Sequence, residues 1–175
     1  TIWRKIVDEN KSLKDIINFR IDKLKKIKES KGDSFAYKFK QSCEISDILK
    51  NDKQWMGKKV KVCGRIVSLR KMGKASFIHI QASRDKIQLY VKTDNLPKNV
   101  YDEIVRNLDI GDIIGTIGVV FITKTKELSI KSSDLSILSK NIRPLPNLKE
   151  KDGEAFFSFE DKELRYRNRH LDLIT

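Results

Sequence analysis

The chain has 175 residues, 39% of them hydrophobic, and 37 Lys and Arg against 24 Asp and Glu give a formal net charge of +13. That supports one core of ordinary size with smaller attachments, and the basic balance points to a polyanionic partner, nucleic acid ahead of an anionic membrane surface. No apolar run is long enough for a bilayer, TIWRKIVDEN lacks the apolar stretch of a secretory signal, and an intracellular chain is the expectation. Cys43 and Cys63 stand outside any CxxC pair and His79 and His170 are the only histidines. Zinc therefore lacks ligands at suitable spacing, and both cysteines are expected as small buried apolar residues without a disulfide.

In chain order, Leu13, Ile16, Ile17, Ile21, Leu24 and Ile27 recur at spacings of three and four, which predicts a helix over about Leu13 to Ser30 with Gly32 at its C-cap. Its other face is basic: from residue 11 to residue 40, ten Lys and Arg stand against four Asp and Glu. From Lys58 the period changes to two. KKVKVCGRIVSLRKM alternates around Val60 and Val62, and its apolar phase slips at Gly64 in favour of Val67 and Leu69, which predicts a bulge and a sharp bend there. ASFIHIQA and KIQLYVK complete a meander, LPKNVYDEIVRNL reads as a helix with Val100, Ile104, Val105 and Leu108 on one face, and DIIGTIGVVFITK and ELSIKSSDLSILSK read as two more strands. Three strands, a helix and two strands, with a bent first strand, predict a mainly β five-stranded OB barrel preceded by a basic helix. Gly111, Gly115 and Gly118 do not form GxGxxG and read as bend points. The expected organisation is a helix and connector over 1–42, the barrel over 43–140, and a linker over 141–175.

If Ile78 and Ile80 face the core, Phe77 and His79 face out, and the same alternation around Ile87, Leu89 and Val91 turns Gln88 and Tyr90 outward beside them. On the last strand Leu128 and Ile130 face in, leaving Glu127, Ser129 and Lys131 out. OB barrels bind oligonucleotides over strands two and three and the adjoining loops. An outward aromatic suits base stacking, Arg70 and Lys74 supply charge for phosphates, and a carboxylate belongs on such a face if it accepts from a base donor. A covered Phe77, packed under the N-terminal helix or an adjoining domain, is the plainer reading of the same pattern.

The blocks GRIVSLRKMGKASFIHIQ, IQLYV, GDIIGTIGVVFITKTKELSI, LSKNIRPLP and RYRNRHLDLI together resemble class II lysyl-tRNA synthetases in their N-terminal anticodon-binding region. Aspartyl and asparaginyl relatives share the barrel and the last block, whereas MGKASF, TKTxELSI and RPLP lean towards lysine. The resemblance implies that Phe77, Gln88 and Glu127 stack on and hydrogen-bond the central uridine of the anticodon and that Arg70 adds a contact. It also implies that Arg20, Lys23 and Lys26 of the basic helix meet the anticodon-stem backbone; Lys74, His79 and Tyr90 are further candidates from the barrel face. The implied partner is tRNA-Lys, and the whole enzyme is a cytoplasmic homodimer, with an organelle left open, that uses ATP and magnesium to activate lysine. The class II motifs for that chemistry are not found in these 175 residues. The chain also begins without Met, so a fragment that recognises tRNA, holds no cofactor or metal and has no catalytic residue is expected. Three features depart from the pattern: Lys126 stands where TKTGELS has glycine, residues 147–159 are longer and divergent, and His170 replaces a tyrosine. A single-strand-binding OB module and a stand-alone tRNA-binding factor are the alternative readings.

Overall fold

The computed structural model describes residues 12–31, 35–36, 38–144, 148–151, 154–157, 162–167 and 169. Helix α1 (Leu13–Lys31) matches the apolar stripe. Ser12 and Asp15 exchange hydrogen bonds across its first turn, satisfying amides that a helix start leaves free. The expected cap, Gly32, lies outside the described residues. Two short helices that the periodicity did not reveal follow, α2 (Ile45–Lys50) and α3 (Asp52–Trp55), and Ile45 and Ile48 of α2 are fully buried.

Five strands then close a barrel: β1 (Lys59–Met72), β2 (Ala75–Ala82), β3 (Asp85–Lys92), β4 (Ile113–Ile122) and β5 (Leu128–Ser139), in the order β1-β2-β3-β5-β4 with β4 returning to β1. Only the β3–β5 pair is parallel. This is the OB barrel expected from the element order. Val60, Val62, Ile78, Ile80, Leu89, Val91, Val120 and Ile130 fill it, the inward half of each alternation.

Two expectations are corrected. In β1 the inward phase of Val60 and Val62 continues to Ile66, and the register slips between Ile66 and Ser68 instead of at Gly64. Gly64 answers a different demand, because a Cβ there would lie 2.8 Å from the Gln81 carbonyl oxygen and the strands could not approach. The segment read as one helix over 96–108 holds only α4 (Val100–Glu103) and a 3₁₀ turn (Val105–Asn107). Asn99, left-handed at φ 71°, separates α4 from Pro97, and the β-branched residues favour helix weakly. Val100, Ile104, Val105 and Leu108 are nevertheless all buried.

The α1 helix is fastened to this segment by charge as well as by Ile27. The fully buried Lys140 ammonium lies 2.5 Å from Asp109 and 2.8 Å from Asp112, and Lys23 of α1 lies 2.5 Å from the other Asp109 oxygen. Burial pushes both carboxyls up; beside Lys140 and Lys23 Asp109 nonetheless ends below the usual carboxylate range, whereas Asp112 stays above it. Arg20, also buried, donates to the Asn141 carbonyl at 2.9 Å. Beyond the barrel, Leu148–Lys151 (β6) and Glu154–Phe157 (β7) pair as a hairpin inside the divergent stretch, and α5 (Lys162–Arg167) follows; His170 lies outside the described residues. Cys43 and Cys63 are free thiols, half-buried where full burial was expected.

Candidate nucleic-acid interface

Strand register places the outward side chains in two adjacent rows. Arg70, Phe77, Tyr90 and Lys131 stand opposite one another across β1, β2, β3 and β5. Two residues along, His79, Gln88, Ser129 and Phe121 do the same across β2, β3, β5 and β4. The period-two reading therefore brings Arg70, Phe77, His79, Gln88 and Tyr90 onto one face, with Glu127 at its edge just before β5.

The first row is aromatic with a cation at each end. Phe77 and Tyr90 have ring centroids 5.3 Å apart, and Phe121 meets Tyr90 edge-on at 6.1 Å. Such tilted and edge contacts satisfy the ring quadrupoles and hold each ring in place. Phe77 is thus half-buried against a neighbouring ring, and with Tyr90, Phe121, Thr123, Lys124 and Thr125 it lines an open hollow of about 310 Å³. Phe121 was absent from the sequence candidates, although it was legible there: Val120 is a core residue, so alternation turns Phe121 outward.

The second row, Phe121 apart, is a hydrogen-bonded set. Gln88 is 7% exposed, so it faces outward but is covered, where the alternation alone suggested an open amide. Its Nε2 donates to Glu127 Oε2, and its Oε1 lies 3.1 Å from the hydroxyl of Ser129. That hydroxyl is also 3.2 Å from the Glu127 carbonyl, and its one hydrogen serves these two acceptors. The second carboxylate oxygen of Glu127 lies 2.9 Å from His79 Nε2. The Glu127 side chain remains 44% exposed, so its outer lone pairs face solvent or a ligand.

The hairpin that presents Glu127 closes on Thr123, whose amide donates to the Glu127 carbonyl at 3.0 Å while the Lys126 amide donates to the Thr123 carbonyl at 2.9 Å. Lys126 adopts φ 61°, the left-handed region that glycine enters freely. The turn therefore forms in spite of the departure from TKTGELS.

The cations divide into two groups. Arg70, Lys74 and Lys26 are exposed. Arg20 and Lys23, expected as phosphate contacts, are instead tied into the helix–barrel junction, and burial lowers the Lys23 pKa despite Asp109. A buried, paired ammonium is a poor phosphate ligand. Among the described residues, no group of His, Cys, Asp or Glu could hold a metal ion, and no helix is long and apolar enough to cross a membrane.

Comparison with known proteins agrees with this geometry. Residues 60–138 match the family model described as an OB-fold nucleic acid binding domain. The lysine–tRNA ligase of Haemophilus influenzae strain PittEE is 45% identical over 157 residues, covering 83% of this chain and 29% of the relative. That of Wigglesworthia glossinidia brevipalpis is 40% identical over 166 residues, covering 91% and 32%, and that of Mannheimia succiniciproducens 42% over 153 residues, covering 83% and 29%. The chain thus spans less than a third of the length of these relatives. With the barrel, its outward aromatic row and these matches together, the chain is a homologue of lysine–tRNA ligases built around an OB-fold nucleic acid binding domain.

Proposed function

We propose that the outer face of β2, β3 and the β4–β5 hairpin reads the anticodon loop of a lysine-accepting tRNA. The observation that carries this reading is the adjacency of a stacking surface, Phe77 beside Tyr90, to a carboxylate that already collects amide and imidazole hydrogens. A base laid on Phe77 presents its edge to Glu127 and Gln88. Uridine offers an N3–H donor to the carboxylate and a carbonyl to the remaining Gln88 amide hydrogen. Cytidine puts an unprotonated N3 acceptor against an anion, and good edge recognition is worth roughly 1–3 kcal/mol. Arg70, Lys74 and Lys131 border the face, and Lys26 is the exposed cation of the three expected on α1.

The same proposal extends to the whole protein: a cytoplasmic, homodimeric lysine–tRNA ligase that activates lysine with ATP and magnesium and transfers it to tRNA-Lys. Its support is the identity with the ligases above. A sequence-indifferent single-strand binder would use the same three rings, but it has no need of Glu127 held by two donors. Titrating the chain with anticodon hairpins bearing UUU and UCU separates the two: tighter binding of UUU supports anticodon reading, and equal binding contradicts it.

A further inference from the structure

We propose that His79 is a positioning residue for Glu127, fixing the carboxylate that discriminates uridine from cytidine, and does not itself bind the base. This rests on the anticodon-reading proposal for the same face. His79 and Gln88 are directly opposed on β2 and β3, and cross-strand neighbours project side by side from the sheet. Both therefore reach one carboxylate: Gln88 Nε2 bonds Oε2, and His79 Nε2 lies 2.9 Å from Oε1. An ionised carboxylate only accepts, so Nε2 of His79 carries the proton.

Glu127 needs such fixing. It closes a hairpin turn on a long side chain that is 44% exposed, and Gln88 alone would leave the carboxylate plane free to turn about one bond. His79, with its side chain only 23% exposed on a barrel strand, supplies the second anchor. Two donors take two of about four acceptor positions on a carboxylate. The rest stay available to an incoming N–H. Since the Nε2–H is committed to Glu127, the direct tRNA contact expected of His79 gives way to an indirect one.

The test compares wild type, His79→Leu, His79→Gln, Glu127→Ala and the double variant His79→Leu/Glu127→Ala against UUU and UCU anticodon hairpins, with thermal melts as a check on folding. His79→Leu should narrow the preference for UUU by roughly three- to tenfold, the net effect of one hydrogen bond, and His79→Gln, which keeps an N–H donor, should restore much of it. In the Glu127→Ala background His79→Leu should change the preference no further. An undiminished preference in His79→Leu, no recovery in a folded His79→Gln, or additive losses in the double variant would each overturn the assignment. Without any RNA, the imidazole 15N shifts should show the Nε2–H tautomer and should move on Glu127→Ala. If they do not move, the contact is absent and the proposal falls even where uridine is preferred. Equal binding of both hairpins by the wild type overturns the anticodon reading itself, and the role of His79 with it.

Discussion

Gln88 donates its amide hydrogen to the carboxylate of Glu127, a residue 39 positions further along the chain, from a site only 7% exposed. The carboxylate only accepts, so it takes the amide end, and beneath it Ser129 donates to the carbonyl end at 3.1 Å. Ser129→Ala should loosen the carboxamide. The expected outcome is a partial loss of UUU over UCU preference, smaller than that of Gln88→Ala, with affinity for UCU nearly unchanged. Hairpin titrations of the two variants check it.

Binding should weaken steeply with salt. Each phosphate contact on a single-stranded loop contributes about −0.7 to the slope of log K against log salt, and Lys26, Arg70, Lys74 and Lys131 are exposed cations placed to make them. Replacing each with Ala should flatten the slope by about 0.7. Lys23→Ala should leave the slope alone and lower the melting temperature, because its ammonium is held by Asp109. A flattened slope with unchanged stability in Lys23→Ala would contradict the division of cations.

Lys126→Gly should stabilise the hairpin. A non-glycine residue in the left-handed region carries a penalty of about 1–2 kcal/mol, partly offset by glycine's larger entropy in the unfolded chain. A gain of about 0.5–1 kcal/mol in denaturant unfolding is therefore expected, with UUU preference retained because Glu127 stays in place.

Lys71 gives the protein an alkaline signature. Its Nζ donates to the Arg106 carbonyl at 2.9 Å and the Leu108 carbonyl at 3.1 Å. Burial of the ammonium, with Lys23 and Lys140 nearby and Asp109 and Asp112 opposing them, lowers its pKa to about 8. Between that value and the ordinary lysine value the unfolded chain binds more protons than the folded one, so stability rises with pH across the window. The residue as a whole stays exposed, so screening keeps the rise small. Lys71→Met should reduce it, leaving the part that the lowered Lys23 pKa contributes; urea unfolding at pH 7.5 to 10 is the measurement.

The strands and most of the site were legible because both depend on a period of two. Ile78 and Ile80 inside put Phe77 and His79 outside, and Val120 inside puts Phe121 outside by the same rule. What the period cannot tell is which outward groups find each other. Gln88 reads as an open amide until Glu127 and Ser129 arrive from another strand. Likewise a helical period shows that α1 has a basic face, but Lys23 and Arg20 meet partners 86 and 121 residues away. The apolar spacing of Val100, Ile104, Val105 and Leu108 fits one helix over 96–108, but a single α-turn and a 3₁₀ turn bury the same four residues equally well.

The central claim is that Phe77 stacks on a base whose edge Glu127 reads, and one titration series addresses it: wild type, Phe77→Ala and Glu127→Ala, each against hairpins bearing UUU and UCU. Stacking engages a π face common to all bases, so Phe77→Ala should weaken both hairpins alike, by about 1–3 kcal/mol. Glu127→Ala should cost UUU more than UCU and close most of the gap between them. Wild-type affinity in Phe77→Ala, or a gap that survives Glu127→Ala intact, would contradict the account.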